Sequence, residues 1–351
     1  VHRGLTLPLG VTAHLLGVTT TRVYGTFLRD PDRRLVVEEA DATAAIDATG
    51  AARLVLTRSA LLTVEILGLL GALGATEHGL LVTPGLLRQL HAERAEHAEV
   101  ARHGRRGMDI VGGQLTIYET TPEDGRLGLE RTNALIAWVE RHCTPTYPDR
   151  PPGHDPAWKT IGEDSELAVL AAVREDTVLF CDDLGLRRLA HGEYKVRGTS
   201  TYAWLSSLNR SGRISDEEMQ RHVGVLLRLG HTPVPLTVEH AVAAVREDPE
   251  RLLVFRRVIG HLREPWIDST VAARFIARVL RLTVLEPELR RTISAVADQS
   301  FDALLGARPQ EQQEIARHVR SAIRNDLGLL PSDRDRLLLQ LRTFLERPRV
   351  V

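Results

Sequence analysis

Cysteine is nearly missing from this sequence: Cys143 and Cys181 are the only two in 351 residues. Neither their number nor their spacing builds a disulfide framework or a thiolate zinc site. Such a composition suits a reducing cytosol, so a cytoplasmic location is expected. Lysine is as rare. Lys159 and Lys195 are the two lysines, and arginine supplies the rest of the 45 basic side chains. That bias follows from a GC-rich genome more readily than from a need for forked guanidinium contacts. Net charge is lacking too: the formal value is -1, so bulk charge argues for neither nucleic acid nor a membrane surface. No apolar run is long enough to span a bilayer. The best, Ala60 to Leu73, is short and carries Glu65. No signal-peptide pattern opens the sequence. What remains is 43% hydrophobic, ample for a core, in a chain long for one domain.

The most informative stretch runs from Asp164 to Ala190, DSELAVLAAVREDTVLFCDDLGLRRLA. A helical pattern through Leu167, Leu170, Ala171 and Val173 leads into an apolar strand, Val178 to Cys181. Asp182 and Asp183 follow it, and then a second helical pattern in Leu184, Leu186 and Leu189. Helix, buried strand and helix in close order make one step of a parallel α/β sheet. Ligands of such sheets bind beyond the carboxyl ends of the strands. Asp182 and Asp183 fall at that edge, and Asp164 reaches it if its helix begins there. Two readings of these acids stay open: they gather around a ligand, or they are helix N-caps that satisfy free N–H groups.

Upstream, Arg53 to Leu56 and Leu80 to Val82 read as two more buried strands. Each precedes a helix, Ala60 to Leu73 and Leu86 to about His103. Before them, Val18 to Leu28 and Leu35 to Val37 are strand candidates and Asp41 to Ala48 a short helix, with no chemistry assigned. Asp109 to Val111 and Gln114 to Tyr118 flank Gly112-Gly113 as a hairpin. Arg102, Arg105 and Arg106 just before it read as phosphate contacts or as a solvated turn, the commoner fate of short basic clusters. His91, His97 and His103 are six apart, which spreads them round a helix and makes them surface residues. A helix from Leu127 to His142 is followed by the proline-rich loop Thr144 to Pro156, where His154-Asp155 signals a turn sooner than a metal pair. Ser200 and Thr201 cap another helix, and Ser215 with Glu218 forms a capping box for a helix that Gly230 ends.

In order, LVLTRSALLTVEILGLL, LLVTPGLLRQL and the acidic stretch resemble a PIN-like domain, the fold of many metal-dependent ribonucleases. Asp164, Asp182, Asp183, Arg187 and Ala190 match the second half of its pattern, and the resemblance covers residues 52–235, with an insertion around 104–157. It implies a three-layer α/β domain with a parallel sheet. It also implies three or four carboxylates around Mg²⁺ or Mn²⁺, hard cations that need oxygen ligands. Such an ion lowers the pKa of a water and clamps phosphate oxygens. On this resemblance Asp164, Asp182 and Asp183 are the metal-binding and catalytic residues, Glu166 is an auxiliary ligand, and Ser59 positions a ligand. The first half departs from the pattern. The family's Asp after the first strand is Thr57, and its Glu on the second helix is Arg88 or Gln89. Glu65 and Glu93 are nearby acids away from the family positions. The chain then reads as an RNA-binding or regulatory protein with a decayed site. The alternatives are an active metal-dependent endoribonuclease and a helical adaptor that binds no metal.

From residue 236 to 351 the pattern is helical throughout, punctuated by Pro249, Pro265, Pro287, Pro309 and Pro331. Ser332 with Asp335 reads as a capping box. Arg274, Arg278 and Arg281 share one helix face, as do Arg317, Arg320 and Arg324; these are RNA contacts or, more commonly, solvated faces. The expected organisation is an N-terminal segment (1–51), the PIN-like domain (52–235) and an all-α C-terminal domain (236–351) that offers a surface to a protein partner.

Overall fold

Two helices lead the chain, α1 (Leu9–Leu16) and α2 (Thr20–Arg29), followed by a two-residue strand, β1 (Leu35–Val36). A strand was expected over 18–28. The helix prevails because it buries Val23 and Tyr24 together with Leu9, Ala13 and Leu35 while Arg22 stays exposed. The computed structural model describes residues 8–16, 18, 20–29, 35–37, 51–111, 114–150, 156–264, 267–306, 308–326 and 328–347. The helix expected at 41–48 and the His154-Asp155 pair lie outside them. The chain divides into two compact units, meeting between Val225 and Leu226.

The first unit continues with β2 (Arg53–Leu56), α3 (Arg58–Ile66), α4 (Leu70–Gly74), β3 (Gly79–Val82) and α5 (Pro84–His103). Next come a hairpin, β4 (Arg105–Val111) and β5 (Gln114–Thr120), then α6 (Pro122–His142) and β6 (Cys143–Pro145). A 3₁₀ turn (Pro156–Ile161), α7 (Glu163–Ala171), β7 (Thr177–Phe180), α8 (Leu184–Tyr194), β8 (Gly198–Thr199), α9 (Thr201–Arg210) and α10 (Asp216–Arg228) complete it. Five strands form one sheet in the order β6-β3-β2-β7-β8, and every neighbouring pair is parallel. This is the α/β, PIN-like architecture expected. The strands are short and apolar on both sides because both faces are covered. Val55, Leu81, Leu179 and Cys181 pack with Trp158, Val169 and Leu186. Phe180, one residue on, turns the other way to Trp204 of α9, ring centroids 5.9 Å apart.

Three elements differ from expectation. The apolar run 60–73 is two helices, because Gly68 at φ 71° ends the first. Strand β6 pairs with β3 although no strand was foreseen there; at three residues with a terminal proline it carries no periodic signal, and its edge position tolerates that proline. The hairpin strands are seven residues each, so Arg105 and Arg106 lie in β4 and not in a turn. Arg105 pairs with Glu96, Arg106 with Glu119 at 3.6 Å and Arg102 with Glu99 at 3.0 Å, so each of these cations already faces an acid.

The second unit is built of α11 (Val238–Glu247), α12 (Leu253–Ile259), α13 (Ser269–Leu285), α14 (Ile293–Phe301), α15 (Gln312–Asn325) and α16 (Pro331–Glu346). Phe255, Ile276, Leu280, Val296, Phe301, Ile315, Val319 and Leu341 form its buried core. The Ser332 capping box is absent: Pro331 occupies the first turn and Leu330 is the cap residue, without a side-chain bond. Among the described residues no helix is long and apolar enough to cross a membrane.

Candidate functional site

Register brings the polar residues to one edge. Leu56 lies opposite Phe180 and Phe180 opposite Thr199, so Thr57, Cys181–Asp183 and Ser200–Thr201 leave the sheet side by side at its carboxyl end. The backbone of Asp164 packs against the first turn of α5, and the charges that act on its carboxyl are those of Glu93 and Glu163. A Cβ on Gly85, in the first turn of α5, would stand 2.6 Å from the Asp164 Cα. Only glycine lets the start of α7 approach the start of α5 so closely.

Each acid at this edge has a protein partner. The Asp182 carboxylate is buried and accepts from the Thr201 backbone N–H at 2.6 Å and from the Thr201 hydroxyl at 2.8 Å. Ser59, expected to position a ligand, accepts from the Asp182 backbone N–H at 3.3 Å. Asp183 is the N-cap of α8, accepting from Leu186 N–H at 3.1 Å, and it also accepts from Leu9 N–H at 2.5 Å. Burial pushes its pKa up to about 6 against these N–H groups and the nearby Arg187 charge, which pull it down. Asp164 is half-buried in the first turn of α7. Burial raises its pKa to about 6 as well; the N–H groups of Ser165 and of its own backbone oppose the shift, and the negative charges of Glu93 and Glu163 add to it. Glu166 is buried and held by both arms of Arg150, at 2.8 and 3.2 Å.

The first half of the site is rebuilt with other groups. The Thr57 hydroxyl donates to the Phe180 carbonyl at 2.9 Å, a bond that a carboxylate could not make. Of the two candidates on α5, Arg88 is exposed and pairs with Glu163 at 2.6 Å. Gln89 turns inward, its amide donating to the Thr21 hydroxyl at 3.0 Å. One turn further, Glu93 is buried and bound by Arg58 through Nε at 3.0 and 3.1 Å and Nη2 at 2.7 Å. The Thr21 hydroxyl donates to the same carboxylate. Sequence reasoning noted Glu93 but missed Arg58 and Thr21. The available signal was Glu93 at i+4 from Gln89, on one helix face.

A divalent ion of the kind implied needs several oxygen ligands free at one point. The acids as they stand do not fit that demand. Among the described residues no three of His, Cys, Asp and Glu come together, and the oxygens of Asp182, Asp183, Glu93 and Glu166 are bonded to protein groups. Cys181 offers no alternative chemistry, since burial pushes its thiol up to about 12 and a buried thiol is no nucleophile.

A family model described as a PIN domain associated with the TPR-GreAB-C-PIN system matches residues 55–192. No match was found among curated proteins or among solved structures.

Proposed function

Given that the chain carries a PIN domain over residues 55–192, we propose that it binds RNA without hydrolysing it. PIN domains generally use divalent metals. The observation that carries the reading is the commitment of the acids: Asp182 to Thr201, Asp183 to Leu9 and Leu186, Glu93 to Arg58. Without a metal there is no activated water and no clamp on the phosphate.

Support for RNA comes from the second unit. A cleft of about 460 Å³ between α13 and α15 is lined by Arg274, Arg278, His318, Ser321 and Asn325. The charge of Arg278 acts on Glu239, and Asp326 is the one acid in the cleft's lining, against the two arginines. They stand one helical turn apart, beside hydroxyl and amide donors, a set suited to backbone phosphates.

Single-stranded RNA incubated with the full chain and Mn²⁺ should stay intact while forming a complex that weakens with salt. The double change Arg274→Ala with Arg278→Ala should weaken that complex and lower its salt slope by about 1.4, about 0.7 per lost phosphate contact on a single strand. Mn²⁺-dependent cleavage by the native chain, lost in Asp164→Asn or in Asp182→Asn with Asp183→Asn, would overturn the reading.

A further inference from the structure

We propose that the β4–β5 hairpin is a self-association surface, on which a second copy of this chain packs face to face about a two-fold axis. The proposal goes beyond the RNA reading and does not rest on it.

The strands β4 and β5 form a sheet of their own, two strands of seven residues each, apart from the five-stranded sheet. Such a ribbon is marginal in water unless something covers its apolar face. Directly opposed residues of an antiparallel pair share a face, and successive residues along a strand alternate between faces. The register therefore sorts the two sides. On one, Gly107 lies opposite Tyr118, and a Cβ on Gly107 would stand 2.4 Å from the tyrosine ring. The ribbon covers that side itself. On the other, Arg106 lies opposite Glu119 and Met108 opposite Ile117, and the register runs on to Ile110 opposite Leu115. Met108 is 69% exposed and Ile117 71%. Single exposed apolar residues are ordinary, but these two stand side by side and make a patch. The exposed pair Arg106–Glu119, 3.6 Å apart, borders the patch at the root of the hairpin.

Charge says what covers it. A two-fold axis along the ribbon, in the plane of contact, lays β5 of the second copy over β4. Arg106 then faces the second copy's Glu119, and Met108 faces its Ile117, each contact being made twice. No like charges meet, and the apolar pairs of both copies are covered. The face is thus complementary to itself. An exposed ion pair contributes little to the fold, which leaves these two charges to orient the contact. The area is small, since seven residues at about 3.4 Å each span about 24 Å. That places the contact in the weak, transient size class, with micromolar or weaker affinity.

The test is sedimentation equilibrium of the full chain over a concentration series that reaches the millimolar range. The native chain should pass from monomer to dimer. Arg106→Glu and Glu119→Arg each set like charges against each other twice across the axis. Each alone should weaken the dimer about tenfold or more. Mixed in equal amounts, the two variants should dimerise with each other, because each supplies the charge the other lacks. Like charges within one hairpin repel with or without a mate, so mere disorder of the hairpin is not repaired by mixing. Arg106→Glu with Glu119→Arg in one chain should dimerise like the native protein, and Ile117→Asp should abolish association. A native chain that stays monomeric throughout the series would overturn the proposal. So would a dimer indifferent to Arg106→Glu and Ile117→Asp, or a mixture that associates no better than either variant alone.

Discussion

Glu93→Gln should destabilise the first unit by about 3–5 kcal/mol, the usual cost of removing one partner from a buried ion pair. Arg58 and Glu93 are each about 95% buried, with side-chain exposures of 6% and 5%. Three hydrogen bonds join them. The neutral amide leaves a guanidinium buried without a countercharge, and Arg58 Nη1 already has no hydrogen-bond partner. Most of the loss is the desolvation cost of that stranded charge and not the worth of the pair. Arg58→Met with Glu93→Leu, which removes both charges, should therefore cost clearly less than either change alone. Urea denaturation of the native chain, both single variants and the double gives the coupling energy directly. A Glu93→Gln chain that loses under about 1 kcal/mol, the range of exposed pairs, would show that this pair is not dry in solution.

The second large effect is an inverted pH dependence. Asp183 and Asp164 have pKa values of about 6 in the folded chain, raised from 3.8 by burial. A carboxyl whose pKa is raised by folding binds its proton more tightly when folded. Its contribution is fully present below the unfolded value and is lost as pH rises through about 6. The first unit should therefore become more stable as pH falls from 7 to 5, by about 1.3 kcal/mol for the buried Asp183 with its pKa near 6, roughly the 1.36 kcal/mol of one pKa unit. The half-buried Asp164 should contribute less, since solvent screens it. Below that window the loss of ion pairs takes over, as in ordinary acid denaturation. Denaturation midpoints at pH 7, 6 and 5 for the native chain, Asp164→Asn and Asp183→Asn test this. The variants should flatten the rise, and a native stability that falls steadily from pH 7 to pH 5 would contradict it.

The sheet was legible because it rests on local signals. The apolar words at 54–56, 80–82 and 178–181 are too short to be anything but buried strands between helices, and parallel pairing follows from the crossovers. Strand β6 was not legible, since Cys143-Thr144-Pro145 is too short to show alternation and holds no branched aliphatic or aromatic side chain. The acids Asp182 and Asp183 were legible as residues of the carboxyl edge, because strand direction alone puts them there. Their partners were not. Thr201 lies 19 residues from Asp182 and Leu9 lies 174 from Asp183, and no periodicity reports contacts across such separations. The same limit hid Arg58, a residue that reads as a polar turn after a strand and becomes the countercharge of Glu93 only once α3 and α5 are adjacent. Residues 9–29 carried no signal of chemistry because their role is made by a backbone N–H and a hydroxyl, groups that any sequence offers.

Mn²⁺ calorimetry on the unmodified full chain at pH 7 tests the central claim most directly. With Asp182, Asp183 and Glu93 already bonded to protein groups, binding weaker than about millimolar, near −4 kcal/mol, is the predicted result. The same trace is predicted for Asp182→Asn with Asp183→Asn. Stoichiometric binding near micromolar, about −8 kcal/mol, that disappears in that double variant would contradict the account and restore a metal-loaded PIN site.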